Sequence, residues 1–372
     1  MIKLIEPYIT SEDIEAVYKT LRSGNLTQGE VSINFENSVK EYIGSSYAFS
    51  VSSATTGLHL ALVAGGIGPG DEVIIPDFTF PATANAVIQS GAAPVLVDID
   101  LSTLNINVDL LESKINKKTK AIMVVHAFGL CCDMDSIKKI ADSYNLLIIE
   151  DAACALGSKI NSKHAGTFGH MGVFSFHPRK IITTGEGGMI VTQDDHLAKR
   201  ISILRTHGSI KEGGKLNFID AGFNYRLSDI NASLGLSQMQ RLEEILSRRI
   251  ELSSIYDNYL QNNKFITKTV IPKNYIHSYQ SYVVRLDNKI SRDLIVKDLR
   301  VLGIETTLGT YSLSSQPYFS LSGFNTSDLI FSKIAQETTL TLPLSHKMQP
   351  EQIIYIVDNL NRLVLEQISG KS

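Results

Sequence analysis

Two charged residues stand where the chain pattern favours a reactive pair. Asp151 ends the apolar run LLIIED, and Lys180 follows the run VFSF, just before a glycine-rich turn. A carboxylate at the end of a buried strand needs a cationic partner, because burying an unpaired charge is costly. A desolvated lysine amine at the same edge can form a Schiff base with a carbonyl group. Taken alone, each residue is explained as well by an acidic strand cap and a surface lysine.

Small hydroxyl residues form a second group, in the run SSATTGLHLAL. Ser52, Ser53, Thr55 and Thr56 stand at a predicted strand-to-helix junction. The free N–H groups and the dipole of a helix start form an anion site that suits a phosphate. Ser175, after another predicted strand, can add a hydroxyl group to the same site. Simple helix capping also explains serine and threonine at these positions.

An aromatic residue completes the set. The run DFTFPAT follows the predicted strand EVIIP, so Phe78 or Phe80 can cover one face of a planar ring, although either also suits the core. A carboxylate, an amine, a phosphate cradle and a flat aromatic group at one sheet edge match the needs of pyridoxal phosphate. That cofactor uses a lysine for its aldehyde, an acid for its ring nitrogen and an anchor for its phosphate.

The elements that must position these residues form an α/β pattern. Short β-rich runs alternate with helical runs between Tyr47 and Val191. Apolar strands separated by helices predict a mostly parallel sheet with helices on both faces. Ligands of such sheets bind beyond the carboxyl ends of the strands, where the candidate residues stand.

The chain changes character past Leu227. Apolar residues at helical spacing predict one long amphipathic helix that starts near residue 227 and runs to about Tyr259. Strand and helix patterns of a smaller α+β unit follow. With 372 residues, two domains are expected, and we place them at residues 1–245 and 246–372.

Composition excludes several classes of protein. A net charge of −3 argues against a nucleic-acid or membrane-surface partner. Three cysteines are too few and too badly spaced for a disulfide framework or a zinc site, and no metal-ligand motif is present. The N-terminal run has no apolar core of a signal peptide, so we predict a cytoplasmic protein. GGIGPG, at residues 65–70, lacks the spacing of a dinucleotide site, which disfavours a nicotinamide oxidoreductase.

Several runs of the chain resemble the DegT/DnrJ/EryC1/StrS family of sugar aminotransferases. They include GPGDEVIIPDFTF, VHAFG, IEDAA, FSFHPRK, TTGEGGM and GFNYRLSDINASLGL, and the likeness extends from LTQG near the start to TLPLS near the end. The resemblance implies an α/β, fold type I, pyridoxal-phosphate-dependent transferase. Its large domain has a mostly parallel central sheet flanked by helices, and its smaller C-terminal domain is α+β.

The resemblance also implies roles for the reactive residues. Lys180 corresponds to the lysine that binds the cofactor aldehyde and moves the proton, and Asp151 to the partner of the ring nitrogen. Thr55, Thr56 and Ser175 correspond to donors for the phosphate.

Further positions follow from the same resemblance. Phe80 corresponds to the stacking ring, and Asn224 to an asparagine that enters the phosphate site of the other subunit, which implies a homodimer with shared active sites. Cys154 stands among the cofactor-binding positions, but many relatives have glutamine there and histidine at the position of Leu156. A contact near the ring hydroxyl is therefore altered, and we expect the cofactor still to bind.

Substrate contacts are predicted at three positions, His126, Arg226 and Tyr311. His126 follows a strand, and Arg226 follows Asn224. Beside Tyr311, many relatives carry proline and histidine where this chain has Ser312 and Ser314, which leaves the substrate open.

The resemblance implies transfer of an amino group from glutamate or glutamine to a keto group of a nucleotide-linked keto-deoxysugar. Two alternatives remain at this point. One is an aminotransferase for a smaller phosphorylated ketone, and the other is a regulatory protein that binds pyridoxal phosphate without turnover. The intact Asp151 and Lys180 disfavour the second alternative.

Overall fold

The structure is a computed structural model and describes residues 1–321 and 328–370. The helices are α1 (Ser11–Ser23), α2 (Glu30–Ile43), α3 (Ala54–Ala64), α4 (Ala82–Gln89), α5 (Met134–Tyr144), α6 (Asp195–Leu204), α7 (Asp229–Met239), α8 (Leu242–Leu260), α9 (Arg292–Val301), α10 (Pro317–Leu321), α11 (Ile330–Thr338) and α12 (Pro350–Ile368). The strands are β1 (Tyr47–Val51), β2 (Glu72–Pro76), β3 (Phe78–Thr79), β4 (Ala93–Val97), β5 (Thr119–Val125), β6 (Leu147–Asp151), β7 (Lys159–Ile160), β8 (Lys163–His164), β9 (Met171–Ser175), β10 (Gly188–Thr192), β11 (Ser209–Glu212), β12 (Lys215–Phe218), β13 (Ile266–Lys268), β14 (Tyr275–Ile276), β15 (Tyr282–Leu286), β16 (Tyr311–Ser312) and β17 (Thr339–Leu342).

A seven-stranded sheet organises the large unit, with strand order β1-β10-β9-β6-β5-β2-β4. β10 is antiparallel to both of its neighbours, and the other pairs are parallel. Successive side chains of β5 point to opposite faces: Ile122 and Val124 join one apolar cluster, and Ala121 and Met123 join the other. Helices α2 and α5 contribute to the first cluster, and α3, α4 and α6 to the second. The predicted α/β class with a mostly parallel sheet is confirmed.

The predicted long helix is instead two helices, α7 and α8, separated at residues 240–241. The single-helix prediction is wrong because the apolar spacing continues through the break. At the break the N–H of Arg241 bonds to the carbonyl of Gln238 over 3.0 Å, a tighter turn than that of an α-helix. The side chains of both residues also bind Asp13 of α1, at 2.8 and 3.2 Å. Attachment to α1 thus accompanies the break between the two helices.

Helix α8 connects the two units. Its first turns, with Leu242 and Leu246, lie in an apolar cluster of the large sheet, whereas Leu252 and Tyr256 lie in the core of the C-terminal unit. That core also contains residues of α9 and α12 and of the antiparallel sheet β13-β15-β17. The predicted boundary near residue 245 falls within this helix.

Residues 2–4 belong by contact to the C-terminal unit, although we assigned them to the large domain. Ile2 N–H donates to the carbonyl of Gly303 over 2.7 Å, and Leu4 N–H donates to Glu305 Oε2 over 2.9 Å. Ile2 also forms an isolated parallel bridge with Ile304. A division at one point of the chain therefore does not describe these contacts.

The C-terminal unit also returns to the large unit. The short strand β16 pairs antiparallel with β3, which places Tyr311 opposite Thr79. Beyond it, Leu313, Phe319 and Leu329 are buried in the second apolar cluster of the large sheet. This segment therefore reaches the sheet edge where the candidate site residues lie.

Within residues 1–321 and 328–370, no helix is both long enough and apolar enough to cross a membrane. The same residues contain no group of three His, Cys, Asp or Glu side chains that could hold a metal ion. The cytoplasmic location stays a prediction.

Asp229 supplies a cap to a helix that lacks its own. Helix α2 follows Gly29, which has no capping side chain, and Asp229 Oδ1 accepts from the N–H groups of Gly29 and Ser32 at 2.8 and 2.9 Å. We expect Asp229→Ala to lower the free energy of unfolding by about 2–3 kcal/mol, because buried N–H groups lose their acceptor. Denaturant unfolding measures this loss. Glu41→Ala, an exposed position on α2, is the control, and equal effects of the two substitutions would contradict the assignment.

Candidate active site

The predicted reactive residues lie at the carboxyl edge of the sheet, which we define by the last residues of β1, β6 and β9. These are Val51, Asp151 and Ser175. β10 runs the other way, so it begins at this edge with Gly188. Lys180 lies in the turn between β9 and β10. The topology thus gathers residues that are far apart in the sequence.

Asp151 is buried, with 6% of its surface exposed. Its Oδ2 atom accepts a hydrogen bond from the Thr83 hydroxyl over 2.8 Å, and its Oδ1 atom accepts from the N–H of Ala153 over 3.2 Å. Burial raises the pKa of Asp151, although these bonds and the positive charge of Lys180 act in the opposite direction. No ion pair reaches Asp151 from any described residue. Each oxygen of the carboxylate can therefore accept a further hydrogen bond from a cationic partner.

Lys180 is half-buried, and its Nζ atom lies 3.1 Å from Cys154 Sγ, to which it donates a hydrogen bond. Cys154 follows β6 by three residues and so lies near Asp151 in the chain. The amine, the thiol and the carboxylate thus come from two turns that leave adjacent parallel strands, β6 and β9. Cys154, predicted as a cofactor contact, is here a contact of the lysine.

The turn that carries Lys180 is held from two sides. Gln280 Nε2 of the C-terminal unit donates to the carbonyl of Arg179 over 2.7 Å. On the other side, the N–H of Thr183 donates to Gln238 Oε1 of α7 over 2.9 Å. Both glutamines are buried, at 5% and 2% exposure, so solvent does not compete for these bonds. The backbone on each side of the lysine is therefore fixed.

The predicted phosphate cradle is the start of α3. Ser53 caps this helix, since its Oγ atom accepts from the N–H of Thr56 over 3.1 Å. Capping and anion binding are compatible here, because no hydrogen bond among the described residues uses the N–H groups of Ala54 and Thr55. A Cβ atom at Gly188 would lie 2.7 Å from Ala54 N, so glycine lets the helix start approach β10 closely.

The two phenylalanines of DFTFPAT have different environments. Phe78 is 1% exposed and packs in a small apolar cluster, whereas Phe80 is 65% exposed. Phe80 is therefore the ring that remains accessible to a ligand. Ser175 is 9% exposed, and its Oγ atom accepts from the N–H of His177 at 3.4 Å, which leaves its hydroxyl proton free for another partner.

His126 is not placed to contact a substrate. Its side chain is completely buried, with Nε2 at 2.8 Å from Glu150 Oε2 and Nδ1 accepting from the N–H of Cys132 over 3.1 Å. Glu150 also accepts from the N–H groups of Gly166 and Gly169. Because neighbouring residues of a strand face opposite sides of the sheet, the side chain of Glu150, and His126 with it, lies on the opposite face from the side chain of Asp151. The substrate prediction for His126 is therefore not supported. The histidine instead links the side chain of Glu150 to the backbone of Cys132.

Tyr311 lies closer to the predicted site. It is 37% exposed and stands opposite Thr79 in the β3-β16 pair. Thr79 is followed in the sequence by Phe80. Ser312 and Ser314, in contrast, are buried, and both hydroxyl groups donate to Asp77 Oδ2, at 2.7 and 3.0 Å. These serines therefore fasten the strand that carries Tyr311, and they do not line an open surface.

Asn224 and Arg226 flank the same edge. Arg226 forms an isolated bridge with Val51, and the N–H of Ser52 donates to the carbonyl of Tyr225 over 2.9 Å. This segment therefore runs beside the start of α3. The side chain of Asn224 is exposed, and no ion pair of Arg226 is found among the described residues.

Sequence reasoning missed Thr83, the residue that binds Asp151 directly. Thr83 lies in the first turn of α4 and is completely buried. Threonine near a helix start is ordinarily explained by local bonding, so nothing in the sequence connected it with a carboxylate 68 positions away. Asp77 and Gln280 were missed for the same reason, since their partners also lie far along the chain.

The residues at the carboxyl edge fit pyridoxal phosphate by the chemistry of their donor set. Among the described residues, the buried carboxylate of Asp151 has no ion pair and the first N–H groups of α3 have no acceptor. Lys180 offers a half-buried amine, and Phe80 offers an exposed ring. When bound, the cofactor supplies a conjugated ring that accepts electrons from the substrate amine carbon. Fold and site together define the class of pyridoxal-phosphate enzymes.

Residues 7–361 match the model of the DegT/DnrJ/EryC1/StrS aminotransferase family, and the chain belongs to this family. It is a pyridoxal-phosphate-dependent aminotransferase, as the resemblance implied. GDP-perosamine synthase of Caulobacter vibrioides is 40% identical over 340 residues, which are 91% of each chain.

Solved structures agree with this assignment. Helicobacter pylori PseC, an aminotransferase involved in the biosynthesis of pseudoaminic acid, matches with a TM-score of 0.93 at 30% identity, over 98% of this chain and 99% of that chain. The PLP form of Spr1654 from Streptococcus pneumoniae, assigned as a sugar aminotransferase, matches with a TM-score of 0.92 at 29% identity, over 97% and 98% of the two chains. The family and these solved structures identify the cofactor of the present chain as pyridoxal phosphate.

The raised pKa of Asp151 predicts opposite effects of Asp151→Asn on stability and activity. The folded, cofactor-free protein holds this proton more tightly than the unfolded chain, so stability falls as the pH rises from the usual carboxyl pKa to the raised one. At neutral pH we expect cofactor-free Asp151→Asn to have a higher Tm than the wild type. With cofactor, the half-reaction with an amino-acid donor should slow by about 100-fold, because the carboxylate no longer stabilises charge on the ring.

Calorimetry and single-turnover spectroscopy measure the two effects. Asp109→Asn, an exposed aspartate in a surface turn, is the control and should change neither. A lowered Tm together with an unchanged half-reaction would contradict the assignment of Asp151.

Proposed function

We propose that this enzyme transfers an amino group from glutamate or glutamine to the keto group of a nucleotide-linked keto-deoxysugar. The product would be an amino sugar for a surface polysaccharide or glycoside. The observation that carries the proposal is the intact arrangement of Asp151 and Lys180 in a chain that resembles GDP-perosamine synthase over 91% of both lengths.

We assign Lys180 as the general base and acid of both half-reactions. Gln280 and Gln238 fix the backbone of its turn, so the Lys180 amine is held at the carboxyl edge in the same place in both half-reactions. Asp151 keeps the ring nitrogen protonated, and the start of α3 with Ser175 holds the phosphate. Phe80 covers the ring, and Tyr311 and Arg226 are the proposed substrate contacts at the mouth of the site.

A smaller phosphorylated ketone was the alternative acceptor, and it rested on Ser312 and Ser314. The contacts of both serines with Asp77 give these positions a structural explanation. They consequently provide no reason to prefer a smaller acceptor.

A panel of acceptors tests the proposal. The enzyme is first converted to its aminated form with glutamate or glutamine, and the return of the original absorbance is then followed with each acceptor. We expect nucleotide-linked keto-deoxysugars to restore the absorbance, and the same sugars without the nucleotide to react at least about tenfold more slowly, because remote binding energy lowers the barrier. Restoration by small phosphorylated ketones alone would contradict the sugar acceptor.

We further propose a homodimer with shared active sites. Asn224 is exposed beside the start of α3, and the preceding hairpin β11-β12 and the residue after it expose Leu216, Phe218 and Ile219 at 59%, 67% and 56%. Large apolar side chains that lie exposed together favour an interface with another protein surface. A second copy of the chain would cover them and would place Asn224 at its partner's phosphate site.

Mixed dimers test the sharing of sites. Lys180→Ala and Asn224→Ala are each expected to be poorly active alone. In a hybrid dimer with shared sites, the Lys180 of one subunit meets the Asn224 of the other, so one complete site forms. An equal mixture that exchanges subunits should regain activity from about a quarter of all sites, as random pairing gives. No gain over the two separate variants would place Asn224 and Lys180 of one site in the same subunit.

A further inference from the structure

Two buried threonines form a chain of hydroxyl groups behind Asp151. Thr83 Oγ1 donates to Asp151 Oδ2 over 2.8 Å, and Thr79 Oγ1 lies 2.9 Å from Thr83 Oγ1. Thr83 and Thr79 are 0% and 2% exposed, so water does not replace these bonds. Thr79 lies in β3, and Thr83 lies four residues later, in the first turn of α4.

The direction of the chain follows from counting protons. A hydroxyl group has one proton, and Thr83 uses its proton on the carboxylate, which when ionised only accepts. Thr79 must therefore donate to Thr83. No acceptor for the Thr79 hydroxyl other than Thr83 is found among the described residues. The reverse direction, in which a protonated Asp151 donates to Thr83, would leave Thr83 to donate to Thr79 and the Thr79 proton without an acceptor.

The arrangement consequently favours the ionised carboxylate. Successive hydroxyl groups polarise one another, so Thr79 strengthens the bond from Thr83. Burial acts against ionisation of Asp151, whereas the positive charge of Lys180 favours it. With the N–H of Ala153 on Oδ1, the Thr83 hydroxyl on Oδ2 also fixes the plane of the carboxylate.

We infer that Thr83, supported by Thr79, is a positioning residue that holds Asp151 ionised and in one orientation for the cofactor ring nitrogen. It acts on the cofactor only through Asp151. The inference depends on the enzyme class and is independent of which acceptor the enzyme uses.

Three substitutions separate this role from simple packing. Thr83→Val keeps the shape of the side chain and removes the hydroxyl, Thr83→Ser keeps the hydroxyl, and Thr79→Val removes only the second group. Thr192→Val is the control, because Thr192 is also buried and also hydrogen bonded, but to the carbonyl of His170.

The readouts are the affinity for pyridoxal phosphate and the NMR signal of its isotope-labelled ring nitrogen in the holoenzyme, which reports protonation. For Thr83→Val we expect about tenfold weaker affinity, as for a lost hydrogen bond to a charged group, and a signal moved toward the unprotonated form. Thr79→Val should move the signal in the same direction by less. Thr83→Ser and Thr192→Val should resemble the wild type.

The inference is overturned if Thr83→Val leaves the nitrogen signal unchanged, or if Thr83→Ser moves it as far as valine does. Should Thr83→Val fail to fold, Thr79→Val decides, since an unchanged signal in that variant would exclude the hydroxyl chain. The Tm of each cofactor-free variant distinguishes general loss of packing from an effect on Asp151.

Discussion

The structure depends on one buried negative charge. Asp151 ends the central strand of the seven-stranded sheet, and its carboxylate is stabilised by Thr83, by the N–H of Ala153 and by the charge of Lys180, without an ion pair among the described residues. Burial of such a group costs several kcal/mol. A protonated ring nitrogen offsets that cost when the cofactor is bound. Three features surround this charge at the carboxyl edge: the ends of the parallel strands, the start of α3 and the fixed turn of Lys180.

The sequence predicted the fold class and the position of the site because both follow from local patterns. Apolar runs predicted the strands, and parallel strands place their carboxyl ends on one edge, which was enough to bring Asp151, Ser175 and Lys180 together. The family resemblance then supplied their roles. Phe78 and Phe80 could not be distinguished beforehand, because burial of one and exposure of the other depend on how β3 meets β16.

Features that rest on distant contacts were not predictable. The break between α7 and α8 coincides with bonds to Asp13, and the helical spacing carries on as if no break existed. His126 follows a strand like a ligand-binding residue, and only Glu150, on the next strand, makes it structural. Ser312 and Ser314 depart from the family pattern because both bind Asp77, which lies 235 and 237 positions earlier in the chain. In each case the partner is obvious in three dimensions and invisible along the chain.

The pairing of residues 2–4 with the C-terminal unit bears on how the chain is made. Leu4 binds a residue 301 positions later, and Leu344 donates to the carbonyl of Leu4 over 3.0 Å. On a ribosome these early residues emerge long before their partners have been synthesised. Contacts of such separation also close very long loops and therefore form late. Residues 2–4 must accordingly wait, unpaired, until the ribosome has translated the partners near residues 303–305 and 344.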